Sequence, residues 1–263
     1  MTPRPDADDR NDRPARAGEV RGPVRPSAWG DAGPAWRAWL HRRGLYVLVD
    51  PEHCAGRDPE TVAAAALRGG CAALQLRAKR LDGGPLLALA RRIGARCRAA
   101  GVPFVVNDRP DVALLAGADG LHLGQTDLPL DAARRIVGAL PIGLSTHSLP
   151  QARQAVDAGA DLLGFGPVFG TTSKERPDPT VGLAALREVS ETTPIPVVAI
   201  GGITIDNAVA VAASGAALGA VILAVCAAPD PVAAARALHA ALTGGDGSGA
   251  GGPGMGVAEV PAR

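Results

Sequence analysis

Asp108 and Asp127 each stand just past a short apolar run. Phe104–Val106 leads into Asn107-Asp108, and Leu121–Leu123 leads through Gly124 into Gln125-Thr126-Asp127. One Asp at a strand end is ordinary turn chemistry, and Asp127 alone would suit the cap of a helix beginning near Pro129. Two carboxylates repeated across one helix-sized spacer suit another task. A hard cation such as Mg2+ is held by one or two carboxylates, with substrate phosphate oxygens and water completing its shell. A nearby run ends "QLRAK", where strand alternation places Gln75, Arg77 and Lys79 on one side. An isolated Arg-x-Lys is usually a solvated edge, but Gln75 lies among apolar neighbours, where an inward polar side chain must find a partner. Two cations beside a split carboxylate pair call for an anionic ligand.

These residues need a scaffold that gathers strand ends. Apolar runs recur at "LYVLV", "AALQLRA", "FVV", "GLHLG", "PIGLST", "LLGFGPV", "PVVAIGG" and "GAVILAV". Between them lie Ala/Leu/Arg stretches with helical spacing, several closing on Gly (Gly69-Gly70, Gly101, Gly159, Gly215) as helix stops. Eight strands alternating with eight helices imply a parallel sheet. Closure into a single-domain TIM (β/α)8 barrel is the most economical arrangement, with an open doubly wound sheet as the alternative. No GxGxxG opens a helix, which weighs against a dinucleotide fold. In a barrel the active site lies at the C-terminal ends of the strands, so Asp108 and Asp127 face each other from adjacent loops.

Composition narrows the function classes. Of 263 residues, 47% are hydrophobic but only 3% aromatic, so the core is Ala, Val, Leu and Ile, suited to buried parallel strands. A formal charge of +1 supplies no global field for nucleic acid or membrane. Cys54, Cys71, Cys97 and Cys226 are scattered without metal-type spacing and read as reduced, buried thiols. With no apolar leader and no uninterrupted membrane-length run, a cytoplasmic enzyme is expected. Residues 1–35, rich in Pro, Arg, Asp and Gly, read as a disordered extension, and residues 243–263 as a Gly-rich flexible tail. The barrel is expected over 36–242, with Trp36 and Trp39 in a helical turn closing its bottom.

The remaining strand ends add small residues and hydroxyls: "STHS", "GPVFGTTSK" and "AIGGIT". Such loops let backbone N–H groups approach a ligand, and the loops after strands seven and eight are the usual phosphate cradle of this fold. Two anion sites follow, one at Arg77, Lys79 and the cation, the other at Gly201-Gly202. Two phosphorylated groups in one barrel suggest a joining reaction with diphosphate as the leaving group.

The ordered set "QLRAK", "VND", "HLGQTDL", "STHS", "TTSK" and "IGGIT" resembles the thiamine phosphate synthase family over nearly all of residues 44–242. The resemblance implies a TIM barrel that couples a hydroxymethylpyrimidine diphosphate to a thiazole phosphate, or its carboxylate, giving thiamine phosphate and diphosphate. By the same resemblance Gln75, Leu76, Arg77, Ala78, Lys79, Asn107, Ser145 and Lys174 would bind the pyrimidine diphosphate. Thr171, Thr172, Ser173, Gly202, Ile222 and Leu223 would take the thiazole phosphate. Asp108 and Asp127 would hold Mg2+, while Arg77, Lys79 and Lys174 would stabilise departing charge. Partners would be small-molecule substrates, without nucleic acid or membrane, and a homo-oligomer is left open.

This chain departs from the family pattern at Thr126, where an acidic residue is usual, at Leu223, often Ser, and at Ser173, in place of Thr. A sister family of thiazole tautomerases shares the barrel and the Ser-x-His-Ser feature, with the histidine as proton shuttle. That reading would make His147 a general base, whereas the synthase reading makes it a loop histidine that orients neighbours. His122, mid-strand in "LHL", is expected to sit in the barrel interior or to pack. A non-catalytic ligand-sensing barrel would require damaged metal positions, and Asp108 and Asp127 are both present.

Overall fold

The computed structural model describes residues 42–171 and 178–244. The expected extension, Trp36, Trp39 and the tail beyond Gly244 lie outside the described residues, as do Thr172, Ser173 and Lys174. Eight strands run β1 (Gly44–Val49), β2 (Ala73–Leu76), β3 (Phe104–Asn107), β4 (Gly120–Leu123), β5 (Ile142–Thr146), β6 (Leu162–Phe165), β7 (Val197–Ile200) and β8 (Leu218–Val221). Each pairs in parallel with its sequence neighbours and β8 returns to β1, closing the barrel. The α-helices are α1 (Pro59–Arg68), α2 (Gly83–Ala99), α3 (Pro110–Ala116), α4 (Leu130–Val137), α5 (Leu149–Asp157), α6 (Gly182–Thr192), α7 (Ile205–Ala213), α8 (Leu223–Cys226) and α9 (Pro231–Thr243). The TIM barrel expected from the alternating pattern is what forms.

Helix starts follow local chemistry. Asp58 accepts the Thr61 N–H at 2.9 Å just ahead of Pro59, and Asp230 caps α9 ahead of Pro231 in the same way. Pro suits the first helical position because its missing N–H has no intrahelical partner to lose. The inner face of α2 buries Leu86, Leu89, Ala90, Ile93 and Cys97 against the sheet, at the expected three- and four-residue spacing. Truncating the fully buried Ile93 to Ala would cost about 2–5 kcal/mol.

Strand alternation separates two cores. Val47, Leu74, Leu76, Val106, Leu121 and Leu163 face the helices, whereas Tyr46, Val105, Leu162, Val198 and Leu218 fill the barrel interior. At the bottom a repeated Gly-Ala-Asp does the same work twice. Asp119 accepts the Phe104 N–H at 2.9 Å, and Asp161 accepts the Ile142 N–H at 2.9 Å, each closing the start of the preceding strand. All four cysteines are buried and free of disulfides. No helix among the described residues is long and apolar enough to cross a membrane.

One expected element is shorter than its apolar run. "GAVILAV" reads as a continuous strand, but β8 ends at Val221 and the chain turns at Ile222 into α8. An apolar run alone does not distinguish strand from buried helix. The turn carries Ile222 and Leu223 across the barrel mouth.

Candidate active site

A cavity of about 1010 Å³ opens at the C-terminal end of the barrel. Its floor is Tyr46, Leu48 and Gln75, which the alternation of β1 and β2 turns inward. Gln75 donates from Nε2 to the Tyr46 hydroxyl at 2.8 Å, and its Oε1 is buried without a hydrogen-bond partner among the described residues. A buried, unpartnered amide oxygen costs about 1–3 kcal/mol and suits a site that receives a ligand N–H. Leu76 and Ala78 alternate away from the cavity into the outer core, so any contact they make with a ligand is through backbone.

Arg77 and Lys79 rise from the end of β2 and both line the cavity. The Arg77 guanidinium is paired through Nη1 with Oδ2 of Asp50, a fully buried carboxylate just past β1. Asp50 also accepts the Glu52 N–H at 3.1 Å and lies 3.3 Å from His53 Nδ1. Lys79 Nζ sits 2.7 Å from Asp108 Oδ2.

Asp108 occupies a left-handed backbone conformation, φ +64, with the Arg109 N–H returning to the Asn107 carbonyl at 2.8 Å. This tight γ-type turn is uncommon and strained for a residue with a side chain. It turns the carboxylate toward the loop after β4. There Asp127 accepts the Gly124 N–H at 2.7 Å, and a Cβ at position 124 would stand 3.0 Å from that same oxygen. Asp127 does not cap α4: Pro129 holds the cap position, with no side-chain cap hydrogen bond. Instead the Asp127 carboxylate stands against that of Asp108.

Burial and the contact with Asp127 push the Asp108 carboxyl up to about 6, against the pull of Lys79. Burial also opposes ionisation of Asp127, but the hydrogen bonds from Asp108 and the Gly124 N–H, with the Lys79 charge, hold it below the usual carboxylate range. The two carboxylates therefore titrate as a pair that holds one shared proton until the pH rises to about 6. Among the described residues no group of three or more His, Cys, Asp or Glu is arranged to hold a metal ion.

Asn107, His122 and Ser145 form the wall next to this pair. His122 Nε2 lies 2.9 Å from Ser145 Oγ. His122 is thus in the barrel interior, as the sequence suggested, but as cavity wall with a polar partner rather than as packing alone. His147 also lines the cavity, with Nδ1 against the Gly166 carbonyl and Nε2 3.3 Å from Asp178 Oδ2. Both ring nitrogens are engaged.

The far wall comes from β6 to β8. Gly201 and Gly202 have φ +91 and +64, and added Cβ atoms would lie 2.4 Å from Pro167 Cβ and from the Gly170 carbonyl oxygen. The two backbones approach so closely because the β6 loop extends the ladder beside β7, Val168 N–H to Ile200 O at 2.8 Å. Thr171, Gly202, Ile222 and Leu223 all line the cavity. Tyr46, Asp50, Asp178 and Gln151 were not singled out from the sequence. Asp50 carried the same signal as Asp108, a carboxylate directly after a strand.

Comparison with known proteins agrees with this geometry. Residues 45–225 match the family model described as thiamine monophosphate synthase. A thiamine-phosphate synthase of Anaeromyxobacter dehalogenans is 50% identical over 203 residues, 77% of this chain and 89% of the relative. One from Roseiflexus sp. is 45% identical, covering 75% of this chain and 84% of the relative. The solved thiamine phosphate pyrophosphorylase from Pyrococcus furiosus superposes with a TM-score of 0.72 at 36% identity, over 79% of this chain and 98% of that one. A barrel with this mouth, matched by such relatives over nearly four-fifths of the whole chain, belongs to the thiamine monophosphate synthase family.

Proposed function

We propose that the chain is a cytoplasmic transferase that joins 4-amino-2-methyl-5-hydroxymethylpyrimidine diphosphate to 4-methyl-5-(2-phosphoethyl)thiazole, or its carboxylate, releasing diphosphate. The observation that carries the reading is the convergence of Arg77, Lys79 and the Asp108–Asp127 pair at one mouth of a cavity of about 1010 Å³. Bond formation at a pyrimidine CH2 proceeds by loss of diphosphate, because the ring's amino group donates electrons toward the carbon left behind. The protein's main task is then to stabilise charge on the departing group, not to supply a strong base. Arg77 and Lys79 do so from β2, and Lys174, outside the described residues, is assigned the same role. The unpartnered Gln75 Oε1 would accept from the pyrimidine amino group, a contact its burial without a partner supports.

The donor set fits Mg2+. Two hard carboxylates in contact, both ionised above about pH 6, suit an ion that keeps substrate phosphate and water in its shell. When bound, Mg2+ would neutralise charge developing on the leaving diphosphate. Asp108 and Asp127 would hold it, and Lys79 would be freed from Asp108 toward the phosphate. On the far wall, Thr171, Gly202 and the turn at Ile222-Leu223 hold the thiazole phosphate in line with the CH2, with Thr172 and Ser173 assigned to the same group.

The tautomerase alternative asks His147 to move a proton, yet both its nitrogens already have protein partners. The test is diphosphate release from the two phosphorylated substrates, with and without Mg2+. Lys79→Ala should lower turnover by about 100-fold or more, and His147→Ala by far less. A wild type that releases no diphosphate, but isomerises a thiazole carboxylate phosphate in a His147-dependent way, overturns the reading.

A further inference from the structure

His122 occupies a seat that its neighbours have been cut back to provide. It stands mid-β4 at the level of Asn107 on β3 and Gly143 on β5. A Cβ on Gly143 would lie 2.6 Å from His122 Nδ1, and one on Gly164 of β6 would lie 3.1 Å from Cε1. Two successive strands therefore give up their inward side chains to the imidazole. Glycine inside a strand weakens it and commonly marks a place where something must approach closely. A histidine that merely filled volume would not require this, since larger side chains on β5 and β6 would fill the same space. The ring instead crosses both strands and ends with Nε2 2.9 Å from Ser145 Oγ at the cavity wall.

The direction of that hydrogen bond decides what Ser145 offers a ligand. A serine hydroxyl has one donor and two acceptor positions. If Ser145 donated to His122, only lone pairs would face the cavity, and these repel a phosphate oxygen. If His122 Nε2–H donates into Oγ, the serine O–H is left to donate to the anion. The rest of the wall holds both residues in place. Gln125 donates from Nε2 to the Ser145 carbonyl at 2.5 Å, and the Asp108 N–H donates to the His122 carbonyl at 2.8 Å.

We propose that His122 is a positioning residue that donates through Nε2 to Ser145 and so directs the Ser145 hydroxyl at the diphosphate of the bound pyrimidine. The inference rests on the reading of Ser145 as a diphosphate contact. A role exerted only through Ser145 must vanish when the serine hydroxyl is absent, and a packing role must not.

The test is a double-mutant cycle of His122→Phe, Ser145→Ala and the combined variant, with His122→Gln as the conservative replacement that keeps an N–H donor. Turnover with both substrates gives kcat/KM. Affinity for a non-reacting analogue, the pyrimidine diphosphate with CH2 replacing the bridging ester oxygen, is read in parallel, and thermal melting reports stability. Each single substitution should lower kcat/KM and analogue affinity by about 10-fold, the loss of one hydrogen bond to a charged group. The combined variant should be no worse than Ser145→Ala, and His122→Gln should recover most of the loss. Multiplication of the two losses, or a His122→Phe enzyme with wild-type kcat/KM and affinity, overturns the proposal. Should the Phe variant not fold, His122→Leu takes its place in the cycle. A Ser145→Ala enzyme that binds the analogue normally overturns it through its premise. A wild type that binds the analogue but forms no thiamine phosphate refutes the synthase reading and leaves the cycle on affinity to decide His122.

Discussion

Asp108→Asn should make this protein more stable at neutral pH and abolish any stabilisation by Mg2+. Burial and the contact with Asp127 raise the Asp108 carboxyl from its ordinary 3.8 to about 6. Because the folded value lies above the unfolded one, the contribution to stability is present at low pH and is lost as pH rises through about 6. An isolated group moved that far would lose roughly 3 kcal/mol. Solvent access and the opposite displacement of Asp127 reduce this to about 1–2 kcal/mol. Asparagine keeps the shape, tolerates the left-handed turn at φ +64 and can donate to Asp127 without titrating. The ion pair it forfeits is with Lys79, a half-exposed side chain, and such pairs contribute about 0–1 kcal/mol. The carboxylate repulsion wins. Melting curves of both proteins without divalent cation, from about pH 4 to about pH 8, should converge at the acid end and separate above about pH 6 in favour of the variant. Added Mg2+ should raise the wild-type curve alone. Parallel melting profiles through that window would refute the shared proton, and with it the account of why two carboxylates are held in contact.

Asp50→Asn leaves the Arg77 guanidinium, only 13% exposed, without its counter-charge, and should lower stability by about 3 kcal/mol. The same variant should reduce kcat/KM for the pyrimidine diphosphate by about 10-fold or more, and steady-state kinetics beside denaturant titration checks both. Gly202→Ala places a Cβ 2.4 Å from the Gly170 carbonyl at φ +64, so it should cost more than about 2 kcal/mol and weaken thiazole phosphate binding, read as a raised KM. His239 accepts the Leu45 N–H at 3.3 Å beneath the barrel, and burial lowers its pKa below 6.5. Its stabilising effect is therefore complete above the unfolded value and is lost as pH falls toward the folded one. His239→Asn, which keeps an acceptor but does not titrate, should flatten the wild-type fall in melting temperature below about pH 6.

What the sequence disclosed, and what it withheld, divides along the strand register. The alternation in "QLRAK" is enough to turn Gln75, Arg77 and Lys79 inward, and the same alternation sends Leu76 and Ala78 outward, so a contiguous candidate segment resolves into two faces. Carboxylates after strands were legible at Asp108 and Asp127, because two in succession break the turn pattern. Asp50 was passed over although it has the same address, because nothing in a one-dimensional reading shows that β1 and β2 are neighbours whose ends bring Asp50 to Arg77. His122 needed three strands at once: its seat is visible only when β5 sets Gly143 opposite it and β6 brings Gly164 beside the ring. The end of β8 is hidden in the sequence for a different reason. Ile222 to Val225 are apolar in either structure, and the φ, ψ of −112 and −80 at Ile222 that start the turn have no marker in residue type.

The charge balance at the mouth explains why a diphosphate and a cation should enter together. Arg77 and Lys79 supply two positive charges, while Asp50, Asp108 and Asp127 supply three negative ones once the shared proton leaves above about pH 6. Two minus three leaves this group at −1, so the two basic side chains present no surplus to an incoming diphosphate. A bare dication gains only two protein carboxylates, with water filling the rest of its shell, so alone it is held weakly. Bound together, each strengthens the other: the dication turns the balance to +1, and the phosphate oxygens replace part of its water. Inorganic diphosphate titrated into the wild type should therefore bind at least about 10-fold more tightly with Mg2+ than without. In Asp108→Asn and Asp127→Asn, which would lose a proposed cation ligand but also remove a negative charge, that ratio should fall toward one because diphosphate binding without Mg2+ improves. A ratio preserved in both variants would mean that the carboxylate pair does not couple the two ligands.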